Sequence, residues 1–234
     1  MRSLVALLLL ACSTTPAPRP AAPPRAAEGE EWTTTFSVAP DEWASTGRNP
    51  WFSLQPGDQS TFEGDGGRLV ITVLDATRRV DGVETRVVEE REWDEGELQE
   101  VSRNFYALSR RTNGVFYFGE EVDIYEHGQL ARHEGAWASG EKGARFGLMM
   151  PGEPLLGARY YQEQAPGEAM DRAEVVSLAD TLATPAGTFS NCLKVEETTP
   201  LEPQSHEQKL YAPGVGLIKD GPMLLVKQGR AEGK

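Results

Sequence analysis

The chain has 234 residues, 39% of them hydrophobic, and a formal net charge of −13. That length buries a substantial core without disulfide or metal staples. The acidic balance excludes nucleic acid as a partner, because phosphate backbones select basic patches and the chain offers nothing beyond the pairs Arg78-Arg79 and Arg110-Arg111.

At the amino end, Met1-Arg2-Ser3 supplies one positive charge, and residues 4–11 form an unbroken apolar run closed by Leu9-Leu10-Ala11-Cys12. The run has the length of a signal-peptide core, about 7–15 residues, and falls short of the ~20 that cross a bilayer. Its ending resembles the lipobox of bacterial lipoproteins, in which lipid is transferred to the cysteine thiol and the chain is cleaved in front of it. Residues 1–11 are therefore expected to be a signal peptide and Cys12 the lipidated new terminus. A multiply acylated cysteine anchors stably where a single chain holds only marginally.

Residues 12–31 follow as a tether, with Pro16, Pro18, Pro20, Pro23 and Pro24 and no apolar periodicity. Residues 1–31 hold three arginines and three glutamates, so the whole net charge falls on residues 32–234, which read as a single β-rich domain. If Cys12 carries lipid, Cys192 has no partner for an internal disulfide. Its setting, Phe189-Ser190-Asn191-Cys192-Leu193-Lys194-Val195, reads as a strand entering a core, with the thiol a small buried hydrophobe.

Turn chemistry sets the architecture. Gly64-Asp65-Gly66-Gly67, Asp81-Gly82, Glu95-Gly96, Asn113-Gly114, His127-Gly128 and Asp220-Gly221 separate stretches rich in Val, Thr, Phe, Tyr and Leu. Such dipeptides suit the positive φ angles of tight hairpins. Strands are predicted over residues 59–63, 68–75, 83–93, 98–108, 115–118, 123–126, 159–164, 169–182, 190–197, 207–211, 216–219 and 223–227. The run Leu69-Val70-Ile71-Thr72-Val73-Leu74 predicts a strand covered on both faces. Sustained helical periodicity is absent, leaving room for one or two short helices, for instance around residues 40–45. The fold class is all-β, mainly antiparallel, as a strongly curved meander sheet or incomplete barrel.

An ordered motif series runs from Asn49 to Ile218. It comprises Asn49-Pro50-Trp51-Phe52-Ser53-Leu54-Gln55-Pro56-Gly57, Asn113-Gly114-Val115-Phe116-Tyr117-Phe118-Gly119-Glu120, Trp137 with Gly140 and Gly143-Ala144, Met149-Met150-Pro151, and Lys209-Leu210-Tyr211-Ala212-Pro213-Gly214-Val215-Gly216. The series resembles a family of secreted bacterial proteins to which no activity is assigned. The resemblance implies export and a β-rich fold. Where that family carries an Asp-Trp-Tyr-Ala-x-Asp stretch, this chain has Asn104-Phe105-Tyr106-Ala107-Leu108-Ser109, so any metal or acid–base role of those two acids is lost here.

No nucleophile elbow, zinc helix, phosphate-cradling glycine loop or paired Cys-x-x-Cys occurs. No catalytic residue, metal ligand or cofactor is assigned. The candidate polar site comprises Tyr106, Tyr117, Glu120, Glu163, Asp171, Lys209 and Tyr211. Glu163 and Asp171 flank Ala165-Pro166-Gly167, where a hairpin would set two carboxyls close together for acid–base work. Tyr117 and Glu120 are three apart and face opposite ways on a regular strand, but a bulge at Gly119 would bring both to one side. His127 and His133 with Glu134 are weaker candidates for a site across a hairpin. The aromatics Phe105-Tyr106, Phe116-Tyr117-Phe118 and Tyr160-Tyr161 either pack a core or line a pocket inside the curve.

Two functional readings follow. The preferred one is a non-enzymatic envelope module, membrane-anchored through its lipid, that holds a hydrophobic ligand or docks an envelope protein. The alternative is a metal-assisted or carboxylate-dependent hydrolase with a site built from dispersed acids and histidines. The expected location is the cell envelope; in a Gram-negative cell, Ser13 after the lipidated cysteine resembles outer-membrane sorting, facing periplasm or exterior.

Overall fold

A computed structural model describes residues 31–231, so the signal peptide, Cys12 and all of the tether but Glu31 lie outside the described residues. Its one helical element among them is a 3-10 turn at Pro40–Glu42. Short strands β1 (Trp43–Ala44), β2 (Arg48–Asn49) and β3 (Phe52–Ser53) come first. A meander follows, of β4 (Asp58–Gly64), β5 (Gly67–Val80), β6 (Val83–Asp94), β7 (Glu97–Ser109) and β8 (Val115–Glu126). Next are β9 (Gln129–His133), β10 (Trp137–Ala138), β11 (Arg145–Met150), β12 (Arg159–Tyr161) and β13 (Glu163–Gln164). A second meander closes the chain, with β14 (Arg172–Thr184), β15 (Gly187–Thr199), β16 (Glu202–Ala212), β17 (Gly216–Asp220) and β18 (Met223–Arg230).

Asp65-Gly66, Asp81-Gly82, Glu95-Gly96 and His127-Gly128 each turn a two-residue hairpin with both φ angles positive. This is the type I′ geometry whose twist matches antiparallel strands. Asn113-Gly114 behaves differently. Only Asn113 has positive φ (57°), and the β7–β8 connection runs from 110 to 114, because Ser109 Oγ and backbone bonds to Ser109 hold a wider loop.

Among the described residues sixteen strands form one sheet; thirteen run in the order β12-β14-β15-β16-β17-β18-β4-β5-β6-β7-β8-β11-β13, while β1 pairs with β7 and β9 and β10 pair with β8. β18 pairs with β4 and so joins the two meanders. The two ends of the sheet fall on one stretch of chain, since β12 pairs with β14 and β13, a residue later, pairs with β11. The result is a nearly closed, barrel-like sheet with one unsealed seam beside Gln162. A Cβ on Gly147 of β11 would come within 2.4 Å of the Gln162 carbonyl, so this approach needs a glycine.

Alternation along the strands creates two apolar layers. Inward lie Leu54, Val73, Val88, Tyr106, Leu108, Val115, Tyr117, Leu193, Val195 and Tyr211. On the outer face of β6–β8, Val87, Phe105, Ala107, Phe116 and Phe118 are covered by Phe36, Val38 and Trp43. The Trp43 ring meets Phe116 and Phe118 edge-on at 5.3 and 5.2 Å. Each buried large side chain contributes about 1.5–3 kcal/mol. Cys192 is fully buried in a third cluster with Leu210, Ala212 and Ile218.

One end of the barrel is tied by segments far apart in sequence. The buried Asn49 side chain donates through Nδ2 to the carbonyls of Asn113 (2.8 Å) and Pro151 (2.9 Å), while Gly214 N–H donates to the Pro50 carbonyl (2.7 Å). Four pieces of the motif series therefore meet in this end closure.

Candidate functional site

The inward face changes character along the barrel. Register places Val73, Val88, Asn104 and Glu120 side by side, then Ile71, Glu90, Ser102 and Val122, then Leu69, Glu92, Glu100 and Ile124. On the second meander Leu193 neighbours Tyr211, Val195 neighbours Lys209 and Asp220, and Glu197 neighbours Glu207. Near the Asn49 closure the lining is aromatic and aliphatic; toward the opposite end it becomes acidic.

A bulge organises the centre. Phe105 pairs with Gly119 but Tyr106 with Tyr117, so Phe118 is the extra residue and Tyr117 and Glu120 reach the same side. Gly119 has φ 150°, and a Cβ there would lie 2.4 Å from the Trp137 carbonyl oxygen, so β10 can pack against the bulge only over glycine. The Tyr117 hydroxyl contacts Asn104 Oδ1 at 2.5 Å and Glu120 Oε2 at 2.9 Å. The phenolic hydrogen is shared between these two acceptor oxygens. Tyr106 stacks on Tyr117 with ring centroids 4.7 Å apart, and Trp137 meets Tyr117 edge-on at 5.2 Å.

Glu90, Glu120, Glu163 and Asp171 hold their protons more tightly than free carboxyls do. Burial pushes Glu120 up to about 7; the Tyr117 hydrogen bond opposes the rise, and the charges of Glu100 and Asp171 add to it. Burial also lifts Glu90 to about 8, against the pull of Lys209 and with the repulsion of Asp220, Glu92 and Glu120. Glu163, 5% exposed, is raised well above the carboxylate range by burial and then by Asp171 and Glu120. Asp171, at the exposed rim, is raised by desolvation, while contacts with Thr199 and Glu163 pull it back. Burial alone would depress Lys209, but Glu197 and Asp220 override it and hold the ammonium charged. Lys209 Nζ lies 3.1 Å from Glu197 Oε2 and 3.5 Å from Asp220 Oδ1. Gln162 Nε2 donates to the other Glu197 oxygen at 2.8 Å.

Tyr106, Tyr117, Glu120, Lys209 and Tyr211 lie on this inward face, while Glu163 and the exposed Asp171 stand close enough to Glu120 to repel its charge or be repelled by it. The 165–169 hairpin forms, with backbone bonds between Ala165 and Ala169 in both directions, and brings Glu163 and Asp171 together. A cavity of about 180 Å³, lined in part by Glu120, Trp137, Ala144, Ala165 and Pro166, opens beside Glu120. Sequence reasoning passed over Glu90, Glu92, Glu197, Asp220 and Asn104. The alternation Val88, Glu90, Glu92 places these acids on the face of a core valine, and that is the signal that could have found two of them.

The histidines take no part. His127 sits in the β8–β9 turn and His133 ends β9, so the strand's length separates them. His133, exposed, pairs with Asp123 on the outer side at 2.7 Å, and exposed His206 pairs with Glu196 at 3.0 Å. Among the described residues no group of three or more His, Cys, Asp or Glu side chains is arranged to hold a metal ion. Two buried polar atoms on the inward face lack hydrogen-bond partners among the described residues, the Tyr160 hydroxyl and Trp137 Nε1. The Trp137 N–H is nonetheless close enough to Glu120 to favour its ionised form.

No family model and no curated protein matches the chain. Among solved structures, one described as "a putative lipoprotein from Parabacteroides distasonis ATCC 8503" is 12% identical over 76% of this chain and 97% of that one, with a TM-score of 0.37. Similarity at that level carries no argument about this chain.

Proposed function

We propose that the chain is a lipid-anchored envelope protein whose β domain is a non-enzymatic binding module, with the acid-lined inward face as its site. The supporting observation is the convergence of Glu90, Glu120, Glu163, Glu197 and Lys209 around a surface that also holds, among the described residues, the partnerless Tyr160 hydroxyl. A hydrophobic ligand fits the lining poorly, since buried carboxyls disfavour apolar contact. A polar ligand suits it. The anchor reading rests on Leu9-Leu10-Ala11-Cys12 and the proline-rich stretch behind it. Incorporation of radiolabelled palmitate by the native chain and not by Cys12→Ala supports the anchor; equal labelling refutes it.

The grouping of Glu120, Glu163 and Asp171 favours a second reading, a carboxylate-dependent hydrolase that uses one protonated and one ionised acid. Thermal unfolding of the full-length protein against a panel of small amines, acids, alcohols, sugars and acyl chains, run beside chromogenic ester and glycoside substrates, separates the two. Stabilisation without turnover supports the binding module. Turnover abolished by Glu120→Gln supports the hydrolase.

A further inference from the structure

The two faces of the barrel wall balance their charges differently. On the outside of β6–β8, Arg91 bonds Glu89 at 2.7 Å and Arg103 bonds Asp123 at 2.9 Å, so these acids have guanidinium partners. On the inside, the ammonium of Lys209 is already committed to Glu197 and Asp220, and buried Arg86, in register with Tyr106, spends its guanidinium on the carbonyls of Ser45, Leu74 and Ala76.

Resting on the binding-module reading, we propose that the inward face receives a small organic ammonium ion, a primary amine or linear polyamine. Lys209 is the chain's own example of such a group on this surface, seated between two carboxylates at 3.1 and 3.5 Å. Among the described residues neither Glu120 nor Glu163 forms a salt bridge, though Arg78 and Lys142 line the same cavity as Glu120. The Tyr160 hydroxyl gives a second, independent indication. The residue is 3% exposed, its oxygen has no partner, and through Ala173 it stands in register with Glu197 on the same face. A phenolic oxygen there accepts a hydrogen bond from an ammonium that a neighbouring carboxylate holds. A metal ion is disfavoured because no three acids meet at coordination geometry among the described residues. An organic cation needs only dispersed acceptors.

The test is isothermal titration calorimetry on the full-length protein in detergent at pH 8.5, with spermidine, n-butylamine, n-butanol and calcium chloride as probes. The expected result is binding of both amines, with no heat from butanol or calcium. Loss of one charge-assisted contact weakens binding by about tenfold, so Glu197→Gln and Tyr160→Phe should each show that loss. Tyr160→Phe removes only an oxygen and keeps the packed ring. Glu97→Gln, at the exposed β6–β7 turn, should leave amine affinity unchanged. Absence of amine binding, equal loss in Glu97→Gln, or preferred binding of calcium overturns the proposal. Butanol binding that is sensitive to Tyr160→Phe would refute the amine and keep the inward face as a site. Silence from every probe here and from the wider panel above would refute the binding-module reading as well.

Discussion

Replacing Glu120 by glutamine should stabilise the fold in alkali and leave it nearly unchanged in acid. The folded chain holds the Glu120 proton up to about pH 7, whereas an unfolded glutamate releases it near 4.5. Between those values the folded state binds more protons than the unfolded one, so stability falls as pH rises through that window and the penalty is complete above it. At about 1.4 kcal/mol per tenfold change in proton affinity, the ceiling is about 3 kcal/mol. Glu120 is only partly buried, and water screening brings the expected effect to about 1–2 kcal/mol. Glutamine keeps the oxygen that accepts from Tyr117 and removes only the charge. Urea unfolding followed by tryptophan fluorescence should give Glu120→Gln an advantage of about 1–2 kcal/mol at pH 8.5, shrinking below about 0.5 at pH 5. A variant no more stable than the native chain at pH 8.5, or one whose advantage grows toward acid, would show that Glu120 is not held against its charge.

Lys209→Met leaves Glu197, Asp220 and Glu90 without their cation, and urea titration at pH 8.5 should record a loss of about 3 kcal/mol that lessens at pH 5, where Glu90 is protonated. Gly119→Ala should cost about 2–4 kcal/mol in the same assay, because it combines a disallowed φ with a clash against the Trp137 carbonyl. Cys192, fully buried with its thiol pushed up by desolvation, should resist a disulfide reagent in the native chain and react at once in denaturant.

What the sequence made legible was local. Asp-Gly and Glu-Gly pairs at the hairpin tips set strand number and pairing order for the first meander, because a type I′ turn fixes register by itself. The Gly119 bulge was readable for the same reason, since a glycine inside an aromatic strand invites one. Closure was not readable. It depends on the 159–164 stretch pairing on both sides and on Gly147 allowing Gln162 to approach, contacts that no periodicity announces. The candidate site was half legible. Tyr117, Glu120, Glu163 and Asp171 sit beside turns or bulges that imply convergence, whereas Glu197 and Asp220 reach the face only through strand registers set by later hairpins. The motif series proved informative about architecture: Asn49, Pro50, Pro151 and Gly214 tie one end of the barrel.

That division bears on where function resides. The closed end is held by neutral side-chain and backbone bonds and an aromatic interior, the arrangement that serves stability alone. The acidic half does the opposite, because a buried ion pair rarely outperforms well-packed apolar residues of similar volume, and unpaired buried carboxyls are worse. Leucine or methionine in place of Glu90, Glu120 and Glu163 would complete the apolar core that Val88, Val195 and Tyr211 begin. The fold does not need these acids to close, since the strand ladder that makes the barrel runs through backbone groups. Their cost is lowered where the carboxyls keep their protons, as the raised pKa values of Glu90, Glu120 and Glu163 record. The bulge that aligns Tyr117 with Glu120 borders a cavity that Glu120 lines together with Arg78, Phe105, Trp137 and Lys142, so the local irregularity of β8 is where an inward acid meets the outer wall.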